Sequence, residues 1–103
     1  MRISPLPASA TKAAREYYGI WAVQVDRALS GIDDCLTLHF DPAEADHKAW
    51  RRAVVADLAR EHAPVRINAV VGSDGSGVAR AIAWLERAPG ITGQLFTVDS
   101  QRA

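Results

Sequence analysis

Val65-Arg66-Ile67-Asn68-Ala69-Val70-Val71, running directly into Gly72-Ser73-Asp74-Gly75-Ser76-Gly77, is the stretch that decides how this chain folds. A short run rich in β-branched residues and closed by a glycine cluster reads as a buried strand emptying into a loop. The residues that follow, Val78-Ala79-Arg80-Ala81-Ile82-Ala83-Trp84-Leu85, carry helical periodicity, so a helix is predicted from Val78 to Arg87. Strand, loop and helix in that order make the βα unit of a parallel sheet.

Working outward, Pro89-Gly90 stops that helix and Gln94-Leu95-Phe96-Thr97-Val98 alternates into a final strand. Upstream, Pro64 closes a helix that Asp46 is expected to cap. Its predicted apolar face is Trp50, Ala53, Val54 and Leu58, with Arg51, Arg52, Asp57, Arg60 and Glu61 turned outward. Before it, Cys35-Leu36-Thr37-Leu38-His39-Phe40 suits an interior strand ended by Asp41-Pro42. The first helix, capped by Ser9 or Thr11, runs from Ala10 to Leu29 and ends at Gly31; its core stripe is Ala14, Tyr18, Trp21, Val25 and Ala28. Tyr17, Ile20 and Val23 add apolar surface around the rest of that cylinder, and a strand over Tyr18 to Val25 competes locally with the helix. Arg2 to Leu6 reads as an edge strand or a lead-in, because Pro5 and Pro7 cannot donate to a ladder.

Strands separated by helices of this length imply an α/β fold with a mainly parallel sheet of three to four strands and three main helices, a single domain over residues 1–103. If consecutive strands lie side by side, right-handed crossovers put every helix on one face and leave the other bare. Parallel sheets are normally covered on both faces, so either one helix crosses to the far side or a second subunit supplies the cover. With an over-apolar first helix as well, the expectation is a homodimer.

Composition excludes several classes. Lys plus Arg and Asp plus Glu number 12 each, which leaves no net field to attract nucleic acid or an acidic membrane. No apolar run is long enough to cross a bilayer, and Met1 to Pro7 lacks the apolar centre of a secretory signal, so the expected compartment is the cytoplasm. Cys35 is the sole cysteine, so an intrachain disulfide is impossible.

The C-terminal half resembles the short-chain dehydrogenase/reductase family. There, a helix ending in a pattern like Arg-Ala-Leu-Ala-x-Glu-Leu-Ala precedes a strand Ile-Arg-Val-Asn-Ala-Val. Here, Arg52-Ala53-Val54-Val55-Ala56-Asp57-Leu58-Ala59 precedes Val65-Arg66-Ile67-Asn68-Ala69-Val70. The family's Ala-Ile-x-Phe-Leu and Ile-Thr-Gly-Gln-x-Leu-x-Val-Asp are matched by Ala81-Ile82-Ala83-Trp84-Leu85 and by Ile91-Thr92-Gly93-Gln94-Leu95-Phe96-Thr97-Val98-Asp99. The resemblance implies a small Rossmann-like domain.

It also frames what is missing. No dinucleotide fingerprint occupies a first βα turn, where that family's glycines let the backbone approach a pyrophosphate. The catalytic Tyr and Lys of the resembled family fall on Pro42 and Asp46 in one register and on Phe40 and Glu44 in the other. The resemblance therefore implies a shortened fold without the redox chemistry, with no cofactor and no catalytic residue to assign. In that family the paired helices before the fifth and sixth strands and the last strand are common association surfaces. They correspond here to Ala10 to Leu29, Ala49 to Ala59 and Gln94 to Val98. Tyr17, Trp21, Trp50, Val54, Leu95 and Phe96 are the candidate interface residues. A second copy is the expected partner, with a full-length dehydrogenase or another protein as the alternative.

One segment could hold a ligand. Gly72, Ser73, Gly75, Ser76 and Gly77 follow a strand and open a helix, so free N–H groups and the helix dipole could cradle a phosphate or nucleotide. The spacing is one residue longer than the dehydrogenase phosphate loop, no acidic ribose ligand follows, and Asp74 would repel an anion. His39, His47 and His62 with Asp41, Glu44 and Asp46 make no recognised metal spacing, and Cys35 reads as a small buried residue. Trp21, Trp50 and Trp84 are core residues unless exposed, when they would mark an interface. Arg51, Arg52 and Arg60 form a basic strip interrupted by Asp57 and Glu61, which argues against nucleic acid.

Overall fold

A computed structural model describes residues 1–98. Three parallel strands, β1 (Cys35–Phe40), β2 (Arg66–Val71) and β3 (Leu95–Thr97), lie side by side in chain order. Cys35 pairs with Arg66 and Phe40 with Val71, while Ala69 pairs with Leu95 and Val71 with Thr97. The lead-in joins this sheet only briefly. Arg2 bridges to His39 in parallel, Ile3 N–H donates to the His39 carbonyl at 2.9 Å, and the terminal ammonium of Met1 donates to the Thr37 carbonyl at 2.7 Å. The N-terminal segment thus covers the outer edge of β1, and the pairing stops before the prolines.

The first helix forms one rod in three parts: α1 (Ala10–Glu16), a π turn over Tyr17–Trp21, and α2 (Ala22–Leu29). Ser9 is the cap, its hydroxyl accepting from the Lys12 N–H at 3.3 Å. The competing strand over Tyr18 to Val25 does not form. The π turn also corrects the predicted stripe, since the buried residues are Ala13, Tyr17, Val25 and Leu29, whereas Tyr18 is exposed. An α-helix turns about 100° per residue, so an unbroken one would leave Val25 about 80° round from Tyr17. A π turn accommodates one extra residue, which brings the two back to within about 20° of each other. Gly31 has no left-handed conformation; the rod simply ends at Ser30, whose hydroxyl donates to the Arg27 carbonyl.

Between β1 and β2, a 3₁₀ turn over Ala45–His47 leads into α3 (Lys48–His62), and Asp46 lies inside that turn with no capping bond made at either helix start. The predicted face of α3 holds at Val54, which is buried, and at Trp50 and Leu58, which pack half-buried against the core, but Ala53 is exposed, and Arg51 and Val55 are buried instead. From β2, the chain passes through Gly72–Gly75 into α4 (Ser76–Glu86) and then to β3.

The two sheet faces carry separate cores. On one face, Leu38, Phe40, Ile67, Ala69 and Val71 pack with Ile3, Tyr17, Val25, Leu29, Val54 and Val55 from the lead-in, the first rod and α3. On the other, Val70 packs with Val78 and Leu85 of α4, joined by Ile82, Ile91, Phe96 and Val98. A helix has therefore crossed to the far side, and the bare face that sequence reasoning used to argue for a dimer does not exist. Successive strands advance in one direction across the sheet, so connections on opposite faces have opposite hands. One of the two connections, β1–α3–β2 or β2–α4–β3, therefore departs from the usual right-handed crossover.

Polar side chains of β2 hold the α4–β3 connection in place. Arg66 Nη1 donates to the Leu85 and Ala88 carbonyls at 2.9 and 2.8 Å, where the negative end of α4 favours a cation. Asn68 is 1 % exposed and fully used, its amide donating to the Ile91 carbonyl at 3.0 Å and its oxygen accepting from the Gln94 N–H at 3.1 Å. The Arg-x-Asn spacing of the quoted strand thus anchors both ends of the α4–β3 connection. Asp99, the last residue of the matched C-terminal block, lies outside the described residues.

Candidate functional site

In open α/β sheets, ligands seat in the crevice outside the carboxyl ends of the strands. Here that edge is formed by Phe40, Val71 and Thr97, and the loop Asp41-Pro42-Ala43-Glu44 rises from it into the turn before α3. Two adjoining cavities of about 500 and 270 Å³ open there and share Pro42, Ala43, Glu44, His47 and Arg51. The larger is walled by Pro5, Leu6, Pro7 and Ala8, the smaller by Val71, Leu95 and Thr97.

Arg51 lies between them and is only 5 % exposed. Its Nη1 donates to the Asp41 backbone carbonyl at 3.0 Å, and its guanidinium carbon sits 4.7 Å from the centroid of the Phe40 ring and 5.6 Å from that of Trp50. Its Nε is buried with no partner among the described residues. Burial lowers its pKa, and the nearby Asp41 charge partly opposes this. The Asp41 carboxylate is itself engaged by Arg2 at 2.7 Å, so among the described residues no ion pair reaches Arg51.

His47 is a strut beside it. Its Nε2 bonds the Ala8 carbonyl at 2.9 Å and its Nδ1 accepts from Trp50 Nε1 at 3.3 Å, which places the ring proton on Nε2. The lead-in, the first turn of α3 and the aromatic cluster of Tyr17, Phe40 and Trp50 are thereby tied together, with ring centroids 5.7 to 6.4 Å apart. Of the positions counted for a Tyr and Lys pair, Phe40 is buried in this cluster, while Pro42, Glu44 and Asp46 are exposed at the rim.

The glycine loop is built for packing. A Cβ on Gly72 would lie 2.9 Å from Val78 Cγ2 and 3.2 Å from Val98 Cβ, and one on Gly77 would lie 3.1 Å from Val98 Cγ1. Gly72 is therefore demanded by the close approach of Val78 and Val98, independent of any ligand, whereas a side chain on Gly77 would need Val98 to give way by a few tenths of an ångström. The Gly72 carbonyl accepts from His39 Nε2 at 2.8 Å. Ser73, Asp74, Gly75 and Ser76 are exposed, Gly75 is the N-cap of α4 with no side-chain capping bond, and none of the loop residues lines either cavity.

The candidate interface residues divide. Tyr17 and Val54 are 1 % and 3 % exposed and belong to the core, so neither is available to a partner. Trp21, Trp50, Leu95 and Phe96 are half-buried. Exposed apolar surface lies instead on Tyr18, Ile20 and Val23 around the π turn, and on Trp84, which meets Phe96 edge-on at 6.3 Å. Tyr18, with Ala22 and Asp26, also lines a groove of about 180 Å³ against Val54, Asp57, Leu58 and Glu61 of α3.

Sequence reasoning missed Arg51 by placing it among outward-facing charges. The signal was the adjacent pair Val54-Val55, which centres a stripe that reaches Arg51 and His47 by helical steps; its polar end concealed it. Among the described residues, no helix is long and apolar enough to cross a membrane. No His, Cys, Asp and Glu side chains there form a group able to hold a metal ion. The family model described as short chain dehydrogenase-like protein matches residues 1–98. No curated protein and no solved structure matches the chain.

Proposed function

Because the chain belongs to the short chain dehydrogenase-like family, we propose that it is a non-catalytic Rossmann-like domain that acts by self-association, as a homodimer. The observation that carries this reading is the exposure of Ile20 and Val23 at 54 and 51 % on the first rod, with Tyr18, 54 % exposed, beside the groove against α3. Ile20 and Val23, three residues apart, are neighbours on the rod, and adjoining exposed apolar side chains mark interaction surfaces. They lie on one of the association surfaces that the family resemblance marks, Ala10 to Leu29, and Trp84 with Phe96 lies beside another. A two-fold interface would bring the same rod from each copy together, with acidic Glu16 and Asp26 and basic Lys12, Arg15 and Arg27 available at its margins.

Sedimentation velocity tests the proposal. The wild-type protein is expected to sediment as a dimer, and Ile20→Asp with Val23→Asp to give a folded monomer with unchanged circular dichroism. A monomeric wild type at high micromolar concentration would reject self-association and leave docking onto a different protein. The second reading, a nucleotide or phosphate binder at Gly72, Ser73, Gly75, Ser76 and Gly77, is favoured by the uncapped N-terminus of α4. Absence of thermal stabilisation by millimolar nucleotides would count against it.

A further inference from the structure

Among the described residues, Arg51 is a buried cation with no carboxylate for a partner. A guanidinium withdrawn from water is costly unless paired, and the Asp41 carbonyl and two aromatic faces offset only part of that cost. Its Nε has no acceptor among the described residues. The same side chain lines both cavities at the carboxyl edge of the sheet. An unpartnered charge shared by two adjoining cavities defines the chemistry of what should fill them.

We propose that this crevice binds a small organic monocarboxylate, whose carboxylate serves as the counter-ion of Arg51 and whose apolar body lies against Pro5, Leu6 and Pro7. The planar guanidinium matches a carboxylate in shape and donor geometry. A cavity of about 500 Å³ is within the range of small-molecule sites. Its walls are mainly Pro, Leu and Ala, which suit an apolar body better than a sugar or a hydrated ion. The rim carboxylates select a single charge: Asp41 is neutralised by Arg2, but Glu44 is exposed without an ion pair among the described residues and would repel a dianion. The site is distinct from the glycine loop and from the exposed surface of the first rod, so it stands or falls independently of self-association.

The test is a titration of the ¹⁵N-labelled 103-residue protein with sodium benzoate and, separately, with inorganic phosphate, at constant ionic strength. Benzoate is expected to shift the Arg51 Nε–H resonance and the amides of Ala43, Glu44 and His47 saturably, and phosphate to shift them less at equal concentration. Arg51→Gln is expected to weaken benzoate binding by about tenfold or more, the usual effect of losing a charge-assisted hydrogen bond. Ala43→Phe fills the space shared by the two cavities from an exposed loop position and is expected to weaken it comparably; it decides the matter if Arg51→Gln fails to fold. Shifts that do not saturate, tighter binding of phosphate than of benzoate, or wild-type benzoate affinity in the folded variants would each overturn the proposal.

Discussion

Tyr17 and Tyr18 are neighbours in the chain with opposite surroundings. Tyr17 is enclosed by Phe40 and Trp50, and burial pushes its phenol well above the ordinary value of 10.0. The folded state therefore keeps this proton at a pH where the unfolded chain has lost it. With more protons bound in the folded state, stability falls as pH rises beyond about 10. Tyr17→Phe is expected to flatten that alkaline loss, measured by urea unfolding at pH values on either side of 10. Tyr18, half exposed and raised by partial burial and then by Asp57, acts in the same direction, so Tyr18→Phe should flatten it less. An equal effect from the two variants would show that the Tyr17 environment is not the one described.

The first rod shows what an element gains from an irregular turn. Its buried residues Ala13, Tyr17, Val25 and Leu29 hold one line only because the π turn takes up an extra residue. Gly19 sits in that turn with nothing near its would-be Cβ. Deleting Gly19 converts the rod to continuous α-helix with both buried halves in register, and stability is expected to change by about 1 kcal/mol or less, partly because a glycine leaves a helix. Deleting exposed Arg27, which lies beyond Val25, instead rotates Leu29 by about 100°, and loses about 1.5 to 3 kcal/mol of apolar burial. Chemical denaturation of the two deletions checks this; comparable losses would mean that the turn has some other purpose. The same accounting explains α3, where a 3₁₀ entry and the Val54-Val55 pair set the buried face and carry Arg51 inward with it.

At the scale of the molecule, the two faces of the sheet are unequal. The layer formed by the first rod and α3 contributes the larger core, whereas α4 rests on Val70, Val78 and Leu85 with half-buried neighbours. The less buried layer should open first. Native-state hydrogen exchange is expected to show α4 amides protected less than those of β1 and β2, with Arg66→Met lowering α4 protection further because its hydrogen bonds to the Leu85 and Ala88 carbonyls are lost. Uniform protection across both layers would contradict an independent α4 unit. The exposed surfaces follow the same division, with Tyr18, Ile20 and Val23 on the larger layer and Trp84 on the smaller.

The sequence by itself determined the strands and the parallel architecture, because β-branched runs bounded by glycine and proline leave few other readings. It also contained the Arg66 and Asn68 anchors, although only as a family pattern. Which face each helix covers was left open, since a local hydrophobic period is the same on either side of a sheet. The π turn was invisible for a related reason: its benefit lies in aligning Tyr17 with Val25 against β1, a contact between distant parts of the chain. Arg51 reads as outward-facing because charge usually seeks water, and only the packed structure encloses it between Phe40, Trp50 and the Asp41 carbonyl, where its charge has no counter-ion among the described residues.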